Sequence, residues 1–89
     1  MRRVGQARRR DTAEKGIRKA LEAAGAIVIP ISGKGAPDLF VCFRGQMWGA
    51  EVKTGKGTLT AAQVESGAGR LWPIWRTPEE ALKTIGASR

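Results

Sequence analysis

The chain has 89 residues, enough for one small domain with a single core and little room for a second site. Lysine and arginine number 16 against 8 aspartate and glutamate, a formal charge of +8 that favours a polyanionic partner, nucleic acid being the commonest. With no histidine, no tyrosine and the single cysteine Cys42, the chain cannot build a Ser-His-Asp triad, a Cys-His pair, the usual Cys/His zinc sites, a phenolic nucleophile or an internal disulfide, so any catalysis falls to carboxylates, lysines, amides and a hard metal ion.

Residues 1–10 carry Arg2, Arg3, Arg8, Arg9 and Arg10 with few apolar neighbours and read as a flexible basic arm that follows phosphates, ahead of one domain over 11–89. No apolar signal core follows this arm, and no apolar run approaches the ~20 residues that cross a bilayer. An intracellular, cytoplasmic protein is expected, with no membrane partner. Asp11 is an N-cap type and predicts a first helix from there, with Ile17, Ala20, Leu21 and Ala24 on one face and Gly25 as its stop. Ala26 to Ile31 predicts a strand that Pro30 confines to an edge or a strand end.

Residues 32–37 predict a loop and Leu39 to Phe43 a strand apolar on both faces. Gly45-Gln46 suits a two-residue type II′ turn into a returning strand, Met47 to Lys53. After the loop 54–57, Thr60 can cap a short helix that includes Gln63 and ends near Gly67 or Gly69. Leu71 to Arg76 predicts a fourth strand. Thr77-Pro78-Glu79-Glu80 opens a last helix ending near Gly86, with a cap, proline at N1 and acids in the first turn. The order is helix, three strands, helix, strand, helix.

With that turn, Arg44 pairs with Met47 and Asp38 lies opposite Lys53, while Glu51 and Lys53 share a face because strand side chains alternate. Asp38, Glu51 and Lys53 then gather on one surface at the open end of the hairpin, and a slip of one residue would send Asp38 to the other face. Two carboxylates held close repel one another and call for a cation or a raised pKa; in a histidine-free site Mg²⁺ or Mn²⁺ suits oxygen ligands. Such an ion would activate a water for attack on a phosphodiester, with Lys53 orienting that water or donating to the transition state.

Gly35-Ala36-Pro37-Asp38-Leu39 followed by Glu51-Val52-Lys53 resembles the PD-(D/E)xK nuclease motif. With Gly57-Thr58-Leu59-Thr60 and Gln63 added, the stretch from Glu14 to about Glu80 is similar to the virus-type replication-repair nuclease (VRR-NUC) domain of that superfamily. The resemblance implies a restriction-endonuclease-like α/β core, a central mixed sheet of about four strands flanked by helices. It also implies a metal-dependent nuclease, with stand-alone forms like dimeric Holliday-junction resolvases, and so a homodimer acting on branched DNA. Carried over residue by residue, Asp38 and Glu51 become metal ligands with the Val52 carbonyl as a third, Lys53 the catalytic lysine, Gln63 a group touching water or phosphate, and Glu14 a supporting acid.

Each residue also has an ordinary reading. Pro-Asp is turn chemistry before a strand, and Glu51 with Lys53 is a same-face ion pair worth little at a surface. Asp11-Thr12-Ala13-Glu14 and Thr60-Ala61-Ala62-Gln63 both fit capping boxes, in which the fourth residue bonds only the cap's amide. Ser32, Lys34 and Lys56 are positioned to touch phosphate, although loop lysines are usually only solvated and Ser32 is a common turn former. Trp48, Trp72 and Trp75 lie in predicted strands without a basic-aromatic repeat, which favours core or interface over base stacking. Cys42 is most simply a small buried side chain. Composition alone leaves two alternatives to a nuclease: a small non-catalytic nucleic-acid-binding module, and a structural subunit that depends on a partner for specificity.

Overall fold

The first helix, α1, spans Val4–Ala23 in a computed structural model that describes residues 4–33, 35–55 and 57–87, with side chains from Thr12 onward. The helix start expected at Asp11 is corrected, because the segment read as a flexible arm is helical from Val4. Arginine, alanine and glutamine are good helix formers, so the backbone continues through Arg8 to Arg10 and Asp11 lies inside the helix instead of capping it. The remaining elements are β1 (Ile27–Pro30), β2 (Leu39–Phe43), β3 (Gln46–Val52), α2 (Ala61–Ser66), β4 (Ile74–Trp75) and α3 (Pro78–Ile85). The result is a small α/β domain with a four-stranded mixed sheet in the order β1-β2-β3-β4 and three helices. The expected fourth strand shortens to two residues, Ile74 and Trp75. Among the described residues no helix is long and apolar enough to cross a membrane.

β1 and β2 pair antiparallel, as do β2 and β3, whereas β4 runs parallel to β3 with Glu51 beside Ile74 and Val52 beside Trp75. Pro30 closes the edge strand β1, where its missing N–H costs the ladder least. The hairpin turn is Arg44-Gly45, with φ of 52° and 80°, so the expected Gly45-Gln46 turn is corrected. Two positive φ values make a type I′-like turn, whose twist matches that of the strands. Glycine takes such a φ freely, while for arginine the left-handed region costs about 1–2 kcal/mol. The Arg44 guanidinium lies 4.8 Å from the centroid of the Phe43 ring, a cation–π contact that offsets part of that cost.

Strand alternation separates the sheet into two unlike faces. Val28, Leu39, Val41, Phe43, Ala50, Val52 and Trp75 form the core face, closed by Ile17 and Leu21 of α1 and by Ala81 and Ile85 of α3. Trp75 is almost fully buried, and its indole N–H donates to Thr84 Oγ1 at 2.9 Å. The opposite face carries the exposed apolar Ile27 and Ile29 of β1 and Met47 near the start of β3, and the charged Glu51 near the end of β3.

Candidate active site

Asp38 stands one residue before β2, and its N–H donates to the Ala50 carbonyl at 2.9 Å. Leu39 pairs with Ala50; carried one step further, this register sets Asp38 opposite Glu51. The expected pairing of Asp38 with Lys53 is corrected, and the difference follows from the turn. A displacement of two residues preserves faces, so Asp38, Glu51 and Lys53 still share one side of the sheet, away from the core.

Glu51 is wholly buried and is the buried charged residue among an otherwise apolar set. A carboxylate in that position needs donors. Gln63 Nε2 donates to its Oε2 at 2.6 Å, and the Trp72 indole N–H reaches its Oε1 at 3.5 Å, the long limit of such a bond. Gln63 is held from its other end, because its Oε1 accepts from the Thr60 N–H at 2.8 Å while its own N–H donates to Thr60 Oγ1 at 3.1 Å. Since the Thr60 amide can only donate, the side-chain oxygen of Gln63 must face it, which turns the NH₂ toward Glu51. Capping box and site contact are therefore one arrangement, and the helix start fixes the amide for its second task.

Burial is the largest cause pushing the Glu51 carboxyl from 4.5 to about 7, followed by a hydrogen bond with Asp38 and by the Asp38 charge, while the Trp72 N–H and the Lys53 ammonium act in the opposite direction. Asp38 is fixed in turn, its Oδ2 accepting from the Val52 N–H at 2.8 Å. Two carboxyls side by side, one without solvent access, thus hold a proton near neutrality unless a cation replaces it. The donors that the pair itself offers are carboxylate oxygens, a chemistry suited to Mg²⁺ or Mn²⁺. Among the described residues no group of three or more His, Cys, Asp and Glu side chains forms, so the pair stands without a third carboxylate.

Packing around the pair is close. A Cβ on Gly49 would lie 3.1 Å from Pro37 Cγ and 3.8 Å from Trp72 Cβ, so this glycine lets the residue before Asp38 and the indole that reaches Glu51 both lie against β3. Lys53 follows β3, half-buried, with its N–H donating to the Trp75 carbonyl at 3.1 Å. In the loop after it, the carbonyls of Gly55 and Gly57 accept from Arg76 Nη1, each at 2.8 Å.

The other candidate residues lie elsewhere. Glu14 is on α1, the core-face helix, with Arg18 Nη1 3.9 Å from its Oε2, and it does not join Asp38 and Glu51. Ser32 is exposed in the β1–β2 loop. Lys34 and Lys56 lie outside the described residues, as do the side chains of Arg8, Arg9 and Arg10. Trp75 and Trp48 pack with the core, but Trp72, read from the sequence as core or interface, borders Glu51. Its role depends on the parallel β3–β4 pairing, which leaves no local periodic signal. No protein-family model, no curated protein and no solved structure matches the chain.

Proposed function

We propose that the chain is a metal-dependent DNA endonuclease of the PD-(D/E)xK type, with a restriction-endonuclease-like core and VRR-NUC character. The observation that carries this reading is the facing pair of Asp38 and buried Glu51, oriented by backbone and side-chain donors and flanked by Lys53. An ordinary surface ion pair has no use for this arrangement: Glu51 is buried and takes its close donor bond from an amide, not from the lysine. Asp38, Glu51 and the Val52 carbonyl would hold Mg²⁺ or Mn²⁺. When bound, the ion supplies positive charge to a phosphodiester oxygen and lowers the pKa of a water.

The chain's own residues do the rest. Gln63 and Trp72 keep the Glu51 oxygens aimed, with no reorganisation left to the moment of reaction. Val52 N–H holds Asp38 Oδ2 and so fixes that carboxylate beside Glu51. Lys53 is placed to hold the attacking water or to donate to the phosphate as charge builds. The basic surface draws in DNA. Branched or junction DNA is the proposed substrate and a second copy of the chain the proposed partner, since two sites related by a twofold axis can cut two strands of a symmetric junction. The exposed Ile27, Ile29 and Met47 on the free part of the sheet are consistent with such a partner.

The test is cleavage of duplex, flap and four-way-junction DNA with Mg²⁺, with Mn²⁺ and with EDTA. Scission that stops in EDTA and in Asp38→Ala, with DNA binding retained, is the expected result. Binding without scission by the wild type under every ion condition would leave a non-catalytic binding module, and wild-type rates from Asp38→Ala would remove the pair from the mechanism.

A further inference from the structure

Arg76 is a second cation on the face of the carboxylate pair, outside every element that the sequence motif covers with a role. It follows β4 directly, and the parallel ladder aligns Glu51 with Ile74 and Val52 with Trp75. One residue further along both strands stand Lys53 and Arg76, and aligned residues of parallel strands share a face. The two are also linked through the loop. A Cβ on Gly57 would lie 3.7 Å from Lys53 Cδ, and the Gly57 carbonyl accepts from Arg76.

The guanidinium is held from one end only. Nη1 spends its N–H groups on the carbonyls of Gly55 and Gly57. Nη2 and Nε have no partner among the described residues, and no carboxylate there forms an ion pair with the group. A loop clamp would need only the engaged nitrogen. What remains is a half-buried, rotationally fixed cation with a planar edge of N–H donors, the shape that matches two oxygens of a phosphate.

We propose that Arg76 binds a phosphodiester of the DNA strand beside the cleaved one, through the guanidinium edge that the loop leaves open. The inference deepens the nuclease reading and rests on it for the position of the cleaved bond. Lys53 serves the reacting phosphate and Arg76 its neighbour, so the side chain that bonds the Gly55 and Gly57 carbonyls also places the strand. Fixing the guanidinium beforehand removes much of the ordering cost that a free surface arginine would meet on binding.

Affinity for a fluorescein-labelled four-way junction and for a linear duplex, measured in EDTA over a salt series, tests the contact without cleavage. Loss of one phosphate contact in Arg76→Gln should lower the slope of log K against log salt by ~0.9, with Arg76→Lys retaining it. In the cleavage assay KM should rise in Arg76→Gln by more than kcat falls. An unchanged slope in a folded Arg76→Gln protein overturns the proposal and leaves Arg76 a clamp alone. Should that variant not fold, the Arg76 Nε–H resonance of the wild type decides: a change in its position on saturation with the junction supports the contact, and none overturns it. If the wild type cuts nothing with Mg²⁺ or Mn²⁺, the nuclease reading falls while the salt slopes still decide the phosphate contact.

Discussion

Helices α2 and α3 begin with the same device and use it for different ends. Thr60 with Gln63 and Thr77 with Glu80 are both complete capping boxes. α3 buries Ala81 and Ile85 in the core, whereas α2 buries none of its residues. Glu80 has only acceptors and turns them on its own helix start, taking the N–H groups of Thr77 and Arg76. Gln63 has an NH₂ left over after capping, and that group supports the buried Glu51. One atom type at the third helical position separates a helix whose cap serves only its own start from one whose cap also supports a buried carboxyl.

Making the two boxes alike is the sharpest way to test this. Gln63→Glu keeps the acceptor for Thr60 but replaces the donor at Glu51 with a third carboxylate. Losing a donor to a buried charge costs about 1–3 kcal/mol, and losing the support of a ligand group about 10–100-fold in metal affinity or activity. We expect calorimetry to show Mn²⁺ binding weakened to that extent and cleavage to fall with it; unchanged affinity would show that Gln63 is a cap and no more.

A pH series on the metal-free protein comes next. The folded Glu51 carboxyl, at about 7, lies above its ordinary 4.5. Between those values the folded state therefore binds more protons than the unfolded one, so this group's contribution is fully present below about pH 4.5 and is lost as pH rises through 7. The loss amounts to roughly 3 kcal/mol, because each tenfold change in proton affinity is worth about 1.36 kcal/mol. Denaturant melts of the wild type and of Glu51→Gln should differ most above pH 7, where the glutamine variant is the more stable. A wild-type pH profile that parallels the variant's would mean that Glu51 is not destabilised by its burial. Adding Mg²⁺ or Mn²⁺ should reduce the difference.

Trp72→Phe removes one long hydrogen bond and leaves the ring in place, so a smaller change is expected. The indole N–H lowers the Glu51 pKa, and without it the midpoint of the same pH series should move upward, with a few-fold loss of Mn²⁺ affinity. A midpoint that stays in place would leave the indole as packing only. Glu80→Gln should do least, within about 0.5 kcal/mol in a thermal melt, because the amide oxygen still caps α3 and nothing across from it is charged and buried. A loss as large as that from Gln63→Glu would erase the contrast between the two helices.

The two caps are readable in the sequence because every group in them lies within four residues. Hairpin strands are readable too, but their alignment is not: it depends on an arginine at positive φ, which turn preferences disfavour and which the ring of Phe43 supports. Asp38 and Glu51 remain on a common face because the register differs from the expected one by an even number of residues. The start of α1 is hidden for the opposite reason, since Asp11 gives a cap signal that a run of good helix formers overrides. Trp72 reaches Glu51, and Arg76 comes level with Lys53, through the parallel β3–β4 pairing, a contact between segments distant in sequence, and no spacing rule reaches that far. For Gln63 the sequence offers cap or site as alternatives, and in the structure the capping side chain also bonds Glu51.

The two-residue strand β4 also bears on how the protein comes apart. Trp75 fills the core with its ring while its carbonyl receives the Lys53 N–H. Freeing the lysine's backbone therefore means pulling an indole out of the interior, so that amide belongs among the last to exchange with deuterium and the end of β3 melts with the domain instead of ahead of it.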